Sequence, residues 1–90
     1  MSNSSQFVSA CNIVKNLNST PTNDELCRLY GLYKQATLGD NTTVKPSMFD
    51  LSGNKKWSSW SACLGLSKYN SEVNYIQLVN NLISIYGVKE

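Results

Sequence analysis

The sequence predicts an all-α fold, a four-helix bundle with one long loop between the second and third helices. Three observations carry that prediction. Four stretches place apolar residues at helical spacing, each bounded by a capping residue, a glycine or turn chemistry. No stretch sustains the alternation of a strand, and no internal repeat is present. Ninety residues, 41% apolar and 16% charged, are enough for one core and too apolar for a disordered chain. A single domain spanning 1–90 is therefore expected.

The first helix is expected from Ser4 or Ser5 to Leu17. Phe7, Ala10, Cys11, Val14 and Leu17 follow the i, i+3, i+4, i+7 pattern, with a serine in place as N-cap. Lys15 sits at the edge of that stripe. Asn18 to Asn23, with Pro21 inside, is turn chemistry and ends the helix.

Thr22-Asn23-Asp24-Glu25 has the form of a capping box, with acids in the first turn to suit the helix dipole. The second helix runs from Asn23 or Asp24 to Leu38, with Leu26, Leu29, Tyr30, Tyr33 and Thr37 as its inner stripe and Cys27 beside it. Gly31 in mid-helix costs about 1 kcal/mol relative to alanine, which points to close approach by a neighbour. Gly39 stops the helix. Residues 39–52 exceed an ordinary helix connection, and Val44, Met48 and Phe49 are expected to pack that loop down.

The third helix is expected from Ser52-Gly53 to Leu64, burying Trp57, Trp60 and Leu64, with Lys56 next to Trp57 and Gly65 closing it. Ser67 then caps a fourth helix that ends at Tyr86, before Gly87. Its positions form two adjoining rows, Val73, Ile76, Val79 or Asn80, and Ile83 on one, Tyr75, Val79, Leu82 and Tyr86 on the other. So wide an arc meets two neighbours, or one neighbour and a ligand.

Composition removes several functions. There is no histidine, so the commonest general base and metal ligand are missing, and the six acids show no pairing for acid–base work. Cys11, Cys27 and Cys63 are widely spaced with no C-x-x-C, which suits small buried hydrophobes in a reducing compartment and neither a disulfide framework nor a zinc site. No metal, no cofactor and no enzymatic activity are expected. A net charge of +2, without a basic cluster, argues against nucleic acid. No apolar run reaches the roughly 18 residues of a membrane span. Met1 to Gln6 lacks the features of a secretory signal, so a cytoplasmic protein is expected.

Tyr30, Tyr33 and Lys34 stand at i, i+3 and i+4, which puts two phenols and one ammonium on one helix face. Such a face suits a ligand that is part ring and part phosphate. Lys55-Lys56-Trp57-Ser58-Ser59-Trp60 repeats the pairing of lysine with aromatic. Taken alone, each residue also fits a plainer role. The lysines serve equally as solvated side chains with snorkelling stems, the tyrosines as packing with a wet hydroxyl, and Trp57 and Trp60 as core.

Tyr30-Gly31-Leu32-Tyr33-Lys34-Gln35-Ala36-Thr37-Leu38-Gly39-Asp40, followed by Pro46, Asp50, Gly53, Lys56-Trp57, Trp60, Gly65, Ser67-Lys68 and Tyr75-Ile76, resembles the acyl-CoA-binding protein family from Phe7 to Gly87. The resemblance implies an up-down-down-up bundle that binds long-chain fatty acyl-CoA, carries and buffers it, and does no chemistry on it. A monomer without stable membrane insertion is expected. Tyr30, Lys34 and Lys56 match groups that hold the 3′-phosphate of CoA, and Tyr33 matches the residue that stacks on adenine. Lys15 and Tyr75 match further CoA contacts, while Ala10 and Cys11 match small positions beside the ligand. Ser52 and Asn54 stand where the family usually carries basic residues, Lys55 where it often has alanine, and Asn41-Thr42 departs from the usual turn. Those missing charges sustain one alternative, a protein-interaction bundle of the same fold whose ligand binding has weakened or been lost.

Overall fold

The computed structural model describes residues 3–89. It contains α1 (Ser5–Ile13), continued by a 3-10 turn (Val14–Asn16), then α2 (Asn23–Leu38), α3 (Leu51–Ser61) and α4 (Lys68–Tyr86). Each helix begins where a side-chain oxygen accepts an otherwise unpaired backbone N–H: Ser4 from Phe7, Thr22 from Glu25, Asp50 from Gly53 and Ser67 from Asn70. The Thr22–Glu25 capping box is closed in both directions. Gly39, Gly65 and Gly87 all take positive φ, and Gly39 and Gly87 end α2 and α4 as expected.

Contacts between helix ends set the topology. The N-terminus of α1 meets that of α4, where Glu72 accepts from the Ser4 N–H at 3.0 Å and from Asn3 Nδ2 at 2.7 Å. Their C-terminal ends also meet, through Asn18 N–H to Gly87 O and Lys89 N–H to Asn16 O. Hence α1 and α4 are parallel. Tyr86, at the end of α4, donates to Glu25 at the start of α2, so α2 runs the other way. The C-terminal ends of α2 and α3 are tied by Gly65 N–H to Asp40 and Gln35 Nε2 to Leu66 O, which makes α3 parallel to α2. The order is up-down-down-up, and the long loop exists because two successive helices run in the same direction.

The core is Phe7, Ala10 and Leu17 against Leu29, Leu32 and Ala36 of α2 and Tyr75, Val79 and Leu82 of α4. It corrects the expected stripe of α2. Leu26 and Tyr33 are 41% and 43% exposed, while Leu32, Gln35 and Ala36 are buried. The reason is that α2 packs on α4 along one side and on α3 along another, which turns Leu26 and Tyr33 to the rim. In α4 the row through Tyr75, Val79 and Leu82 is buried, and Ile76 and Ile83 lie half-buried beside it.

Two other expectations fail at helix ends. The first α-helix stops at Ile13, and Leu17 reaches the core in extended backbone, bridged to Val88. The third stops at Ser61, and turns from Cys63 to Leu66 break its phase, so Leu64 is exposed and Leu66 and Cys63 pack inward instead. Gly31 behaves as expected. A Cβ there would sit 2.7 Å from the Ser59 carbonyl carbon and 3.2 Å from the Trp60 nitrogen, so α2 and α3 touch backbone to backbone.

The loop between α2 and α3 is held down, but not by its apolar side chains. Val44, Met48 and Phe49 are 91%, 76% and 87% exposed, contrary to expectation. Polar bonds replace them. Trp57 Nε1 donates to Thr43 O (3.1 Å), Trp60 Nε1 to Gly39 O (2.8 Å), and Asn41 Nδ2 to Ser61 Oγ (3.0 Å). Asn54 Nδ2 donates to Ser47 O at 2.6 Å. Satisfied backbone groups order this segment without hydrophobic burial.

Acid should loosen these ties. The Gly65 N–H, and then Gln35, hold Asp40 below the usual carboxylate range. Desolvation pushes Glu72 upward, but bonds from Asn3 and Ser4 outweigh it and leave its carboxyl lowered. A lowered folded pKa means that the unfolded chain binds more protons in acid. This stability is present above the ordinary carboxylate pKa of about 4 and is lost as pH falls through the lowered values. The urea midpoint is expected to drop between pH 7 and about pH 3, and Asp40→Asn to shrink that drop. An unchanged drop in the variant would count against the assignment.

Candidate functional site

Asn23, Cys27, Tyr30 and Lys34 follow one another at intervals of three or four residues, with Leu26 next to Cys27, so they line one side of α2. Lys56, Trp57 and Trp60 of α3 come up to that side because Gly31 admits the α3 backbone. Trp60 is buried and oriented by its bond to Gly39 O. Lys34 Nζ lies 5.4 Å from the Trp60 ring centre and 5.8 Å from that of Tyr30. Lys56 Nζ, from the other helix, lies 5.7 Å from the same Tyr30 ring. Two ammonium groups thus converge on one phenol, an arrangement cation–π attraction supports but which leaves their N–H donors for another acceptor.

Around them is a hollow of about 290 Å³ walled by Tyr30, Lys34, Val44, Lys56, Trp57 and Trp60. Tyr30 and Lys56 also border a second hollow of about 380 Å³, whose other walls include Leu26, Cys27, Leu51, Ser52 and Lys55. Among the described residues, no acidic side chain lines either one. One hollow is cationic and aromatic; the other has an apolar side made by Leu26 and Leu51.

Tyr33 belongs to a neighbouring aromatic group. Its half-exposed ring lies 6.0 Å from that of Phe7 at an interplanar angle of 22°, and Tyr75 meets Phe7 edge-on at 5.0 Å. Tyr75 is only 4% exposed, and burial, then the neighbouring Cys11, push its phenol pKa well up. It backs Tyr33 from within. Burial also raises the thiols of Cys11 and Cys63, which keeps them protonated and poorly nucleophilic. Lys15 is exposed on the 3-10 turn, with its charge near Cys11. So the structure brings Tyr30, Lys34 and Lys56 together and sets Tyr33 and Tyr75 side by side, with the Lys15 charge near Cys11, which bonds Tyr75.

Sequence reasoning missed several walls. Leu26 and Cys27 were legible as one turn before Tyr30, but Leu26 was assigned to the core. Leu51 and Lys55 carried no such signal, since only the parallel packing of α3 on α2 puts them there. Of the two positions where a basic residue is missing, Ser52 lines the hollow of about 380 Å³, whereas Asn54 is turned to the loop and ties down Ser47 and Asp50. Asn41 likewise works as a loop anchor. Among the described residues, no three acidic, cysteine or histidine side chains cluster to hold a metal, and no helix is long and apolar enough to cross a membrane.

These features define a class: an up-down-down-up helical bundle with a basic, aromatic cleft between two parallel helices. Comparison with known proteins narrows the class to a family. The family described as acyl CoA binding protein matches residues 4–79. Acyl-CoA-binding protein homolog 1 of Caenorhabditis elegans is 52% identical over 81 residues, covering 90% of this chain and 94% of that one. The Drosophila melanogaster acyl-CoA-binding protein homolog is 42% identical over 84 residues, covering 93% and 98%. The crystal structure of Oryza sativa Acyl-CoA-Binding Protein 2 superposes with a TM-score of 0.86 at 39% identity, covering 89% of this chain and 87% of that one. The chain belongs to the acyl-CoA-binding protein family.

Proposed function

We propose that this protein binds long-chain fatty acyl-CoA and serves as its carrier and pool buffer. The observation that carries this reading is the meeting of Lys34 and Lys56 over Tyr30, next to a hollow with an apolar wall. In this reading the two lysines and the Tyr30 hydroxyl hold the CoA 3′-phosphate by charge-assisted bonds. Tyr33, backed by Phe7, takes the adenine on its open face. Lys15 and Tyr75 supply further contacts to CoA, with Tyr75 acting mainly as the support of Tyr33. The acyl chain lies along Leu26 and Leu51. Each methylene removed from water is worth about 0.8 kcal/mol, so a long chain supplies on the order of 10 kcal/mol before entropic costs. A hollow of about 380 Å³ falls in the range of small-molecule sites.

The same reading makes the chain a monomeric, cytoplasmic binding protein, one domain across its 90 residues, that leaves the thioester intact. With no histidine and with raised thiols at Cys11 and Cys63, activated nucleophiles are lacking among those groups.

Calorimetric titration tests the reading. Palmitoyl-CoA is expected to bind with release of heat and a change in tryptophan fluorescence. Palmitate, which lacks the phosphates, should bind roughly a hundredfold more weakly or worse. Equal affinity for the two ligands would sink the head-group argument. Release of free CoA thiol above background would overturn the non-enzymatic reading.

A further inference from the structure

We propose that the cleft also takes medium-chain acyl-CoA esters whose acyl group ends in a carboxylate, with Lys55 as the residue that recognises it. The proposal rests on the acyl-CoA reading and names a substrate class within it. Lys55 and Lys56 are neighbours in sequence, but helix geometry turns successive residues about 100° apart. Lys56 lies over Tyr30 and borders the aromatic hollow with Lys34. Lys55 shares a side of α3 with Ser52 and Ser59, three residues before it and four after. The close approach of Gly31 to the Ser59 carbonyl sets that side against α2. Lys55 accordingly lines the hollow of about 380 Å³ together with Ser52, Leu26 and Leu51. It also lines a further hollow of about 510 Å³, and Cys27, Leu51 and Lys55 are walls of both. The two make one path along the seam of α2 and α3, from Tyr30 and Lys56 at one end to Ser58 and Ser59 at the other.

The walls of this path are of two kinds. Leu26, Cys27 and Leu51 give an apolar side suited to methylenes. Asn23, Ser52 and Lys55 give N–H and O–H donors. A methyl end that stops among them displaces their water and returns no hydrogen bond. A carboxylate accepts from each, and its bond from the ammonium is charge-assisted. The acid on the path is Asp24, which lines the outer hollow and lies in the first turn of α2, where the helix N-terminus offsets its charge. Lys55 stands where the hollows join, so the acyl group that ends at it is shorter than one that runs through both. Plain long chains still fit, because Lys55 is exposed and its ammonium stays in water while they pass its stem.

The test is calorimetric titration of the full chain with decanedioyl-CoA, which has one carboxyl joined to CoA and the other free, and with decanoyl-CoA. The two share the head and differ at the chain end, so the ratio of their affinities isolates that end. In the parent, decanedioyl-CoA is expected to bind at least as tightly as decanoyl-CoA, and added salt should erode the ratio. Lys55→Ala should lower the ratio roughly tenfold and Lys55→Glu roughly a hundredfold, whereas Lys55→Arg, which keeps the charge, should retain it. Parent binding of decanedioyl-CoA more than about tenfold weaker than that of decanoyl-CoA, or a ratio unmoved in Lys55→Ala, would overturn the assignment. So would an equal loss of both esters in Lys55→Ala, because the lysine would then serve the phosphates they share. If palmitoyl-CoA binds while the ratio fails the test, this proposal falls alone. If no CoA ester binds, the acyl-CoA reading falls with it.

Discussion

Alanine at both Lys34 and Lys56 is expected to weaken palmitoyl-CoA binding by a factor of roughly a hundred to ten thousand, with little change in stability. The size follows from two charge-assisted bonds, each worth about 1.5–3 kcal/mol when made to a charged group. Stability should hold because Lys56 is exposed and Lys34 only half-buried, with no carboxylate of the described residues among the walls they share. Lys34 does lose its contacts with Tyr30 and Trp60, worth about 0.5–1 kcal/mol at such sites. Calorimetry on the variant, alongside its thermal melt, separates the two effects. Full affinity in the double variant would move the phosphate site elsewhere.

The second large effect is expected at a residue with no side chain. Gly31→Ala introduces a methyl into the contact with the Ser59 carbonyl and the Trp60 nitrogen, both backbone, so no rotamer change relieves it. The helices must separate. Overpacking of this kind costs about 1–3 kcal/mol or more, partly offset by the roughly 1 kcal/mol alanine gains in helix propensity. A net loss of about 2 kcal/mol corresponds to a melting temperature lower by roughly 8–16 °C in a chain this size. Binding should fall too, because Lys56 and Trp60 ride on α3 while Tyr30 and Lys34 ride on α2. A variant as stable as the parent would show that α3 yields easily at this point. Stability lost with binding intact would show that the cleft does not need close contact between these helices.

Gly31 also shows where the sequence was informative. A glycine inside an otherwise good helix is unfavourable locally, so its presence announced a close neighbour. The serine, threonine and glycine positions at helix ends were equally legible, since capping is chemistry within four residues. Legibility fell where side chains had a choice of neighbours. Leu26 and Tyr33 fit the inner stripe of α2 by period alone, and only packing of α2 against two helices turned them to the rim. Val44, Met48 and Phe49 were expected inside because they are apolar. Hydrogen bonds from Trp57, Asn41 and Asn54 made their burial unnecessary. Those bonds span 7 to 20 residues, which no local pattern reports.

The Tyr30–Asp40 stretch, read by itself, determined that one helix face carries two phenols and an ammonium, and it pointed to the family. Periodicity and caps likewise determined the number of helices and most of their starts. Tertiary structure alone decided that Lys56 joins Lys34 over the same ring, and that Leu51 and Lys55 become walls of the hollow of about 380 Å³. The physical reason is distance along the chain. Helical periodicity orders neighbours within about one or two turns, whereas a cleft between parallel helices joins residues that only the return of the chain brings together.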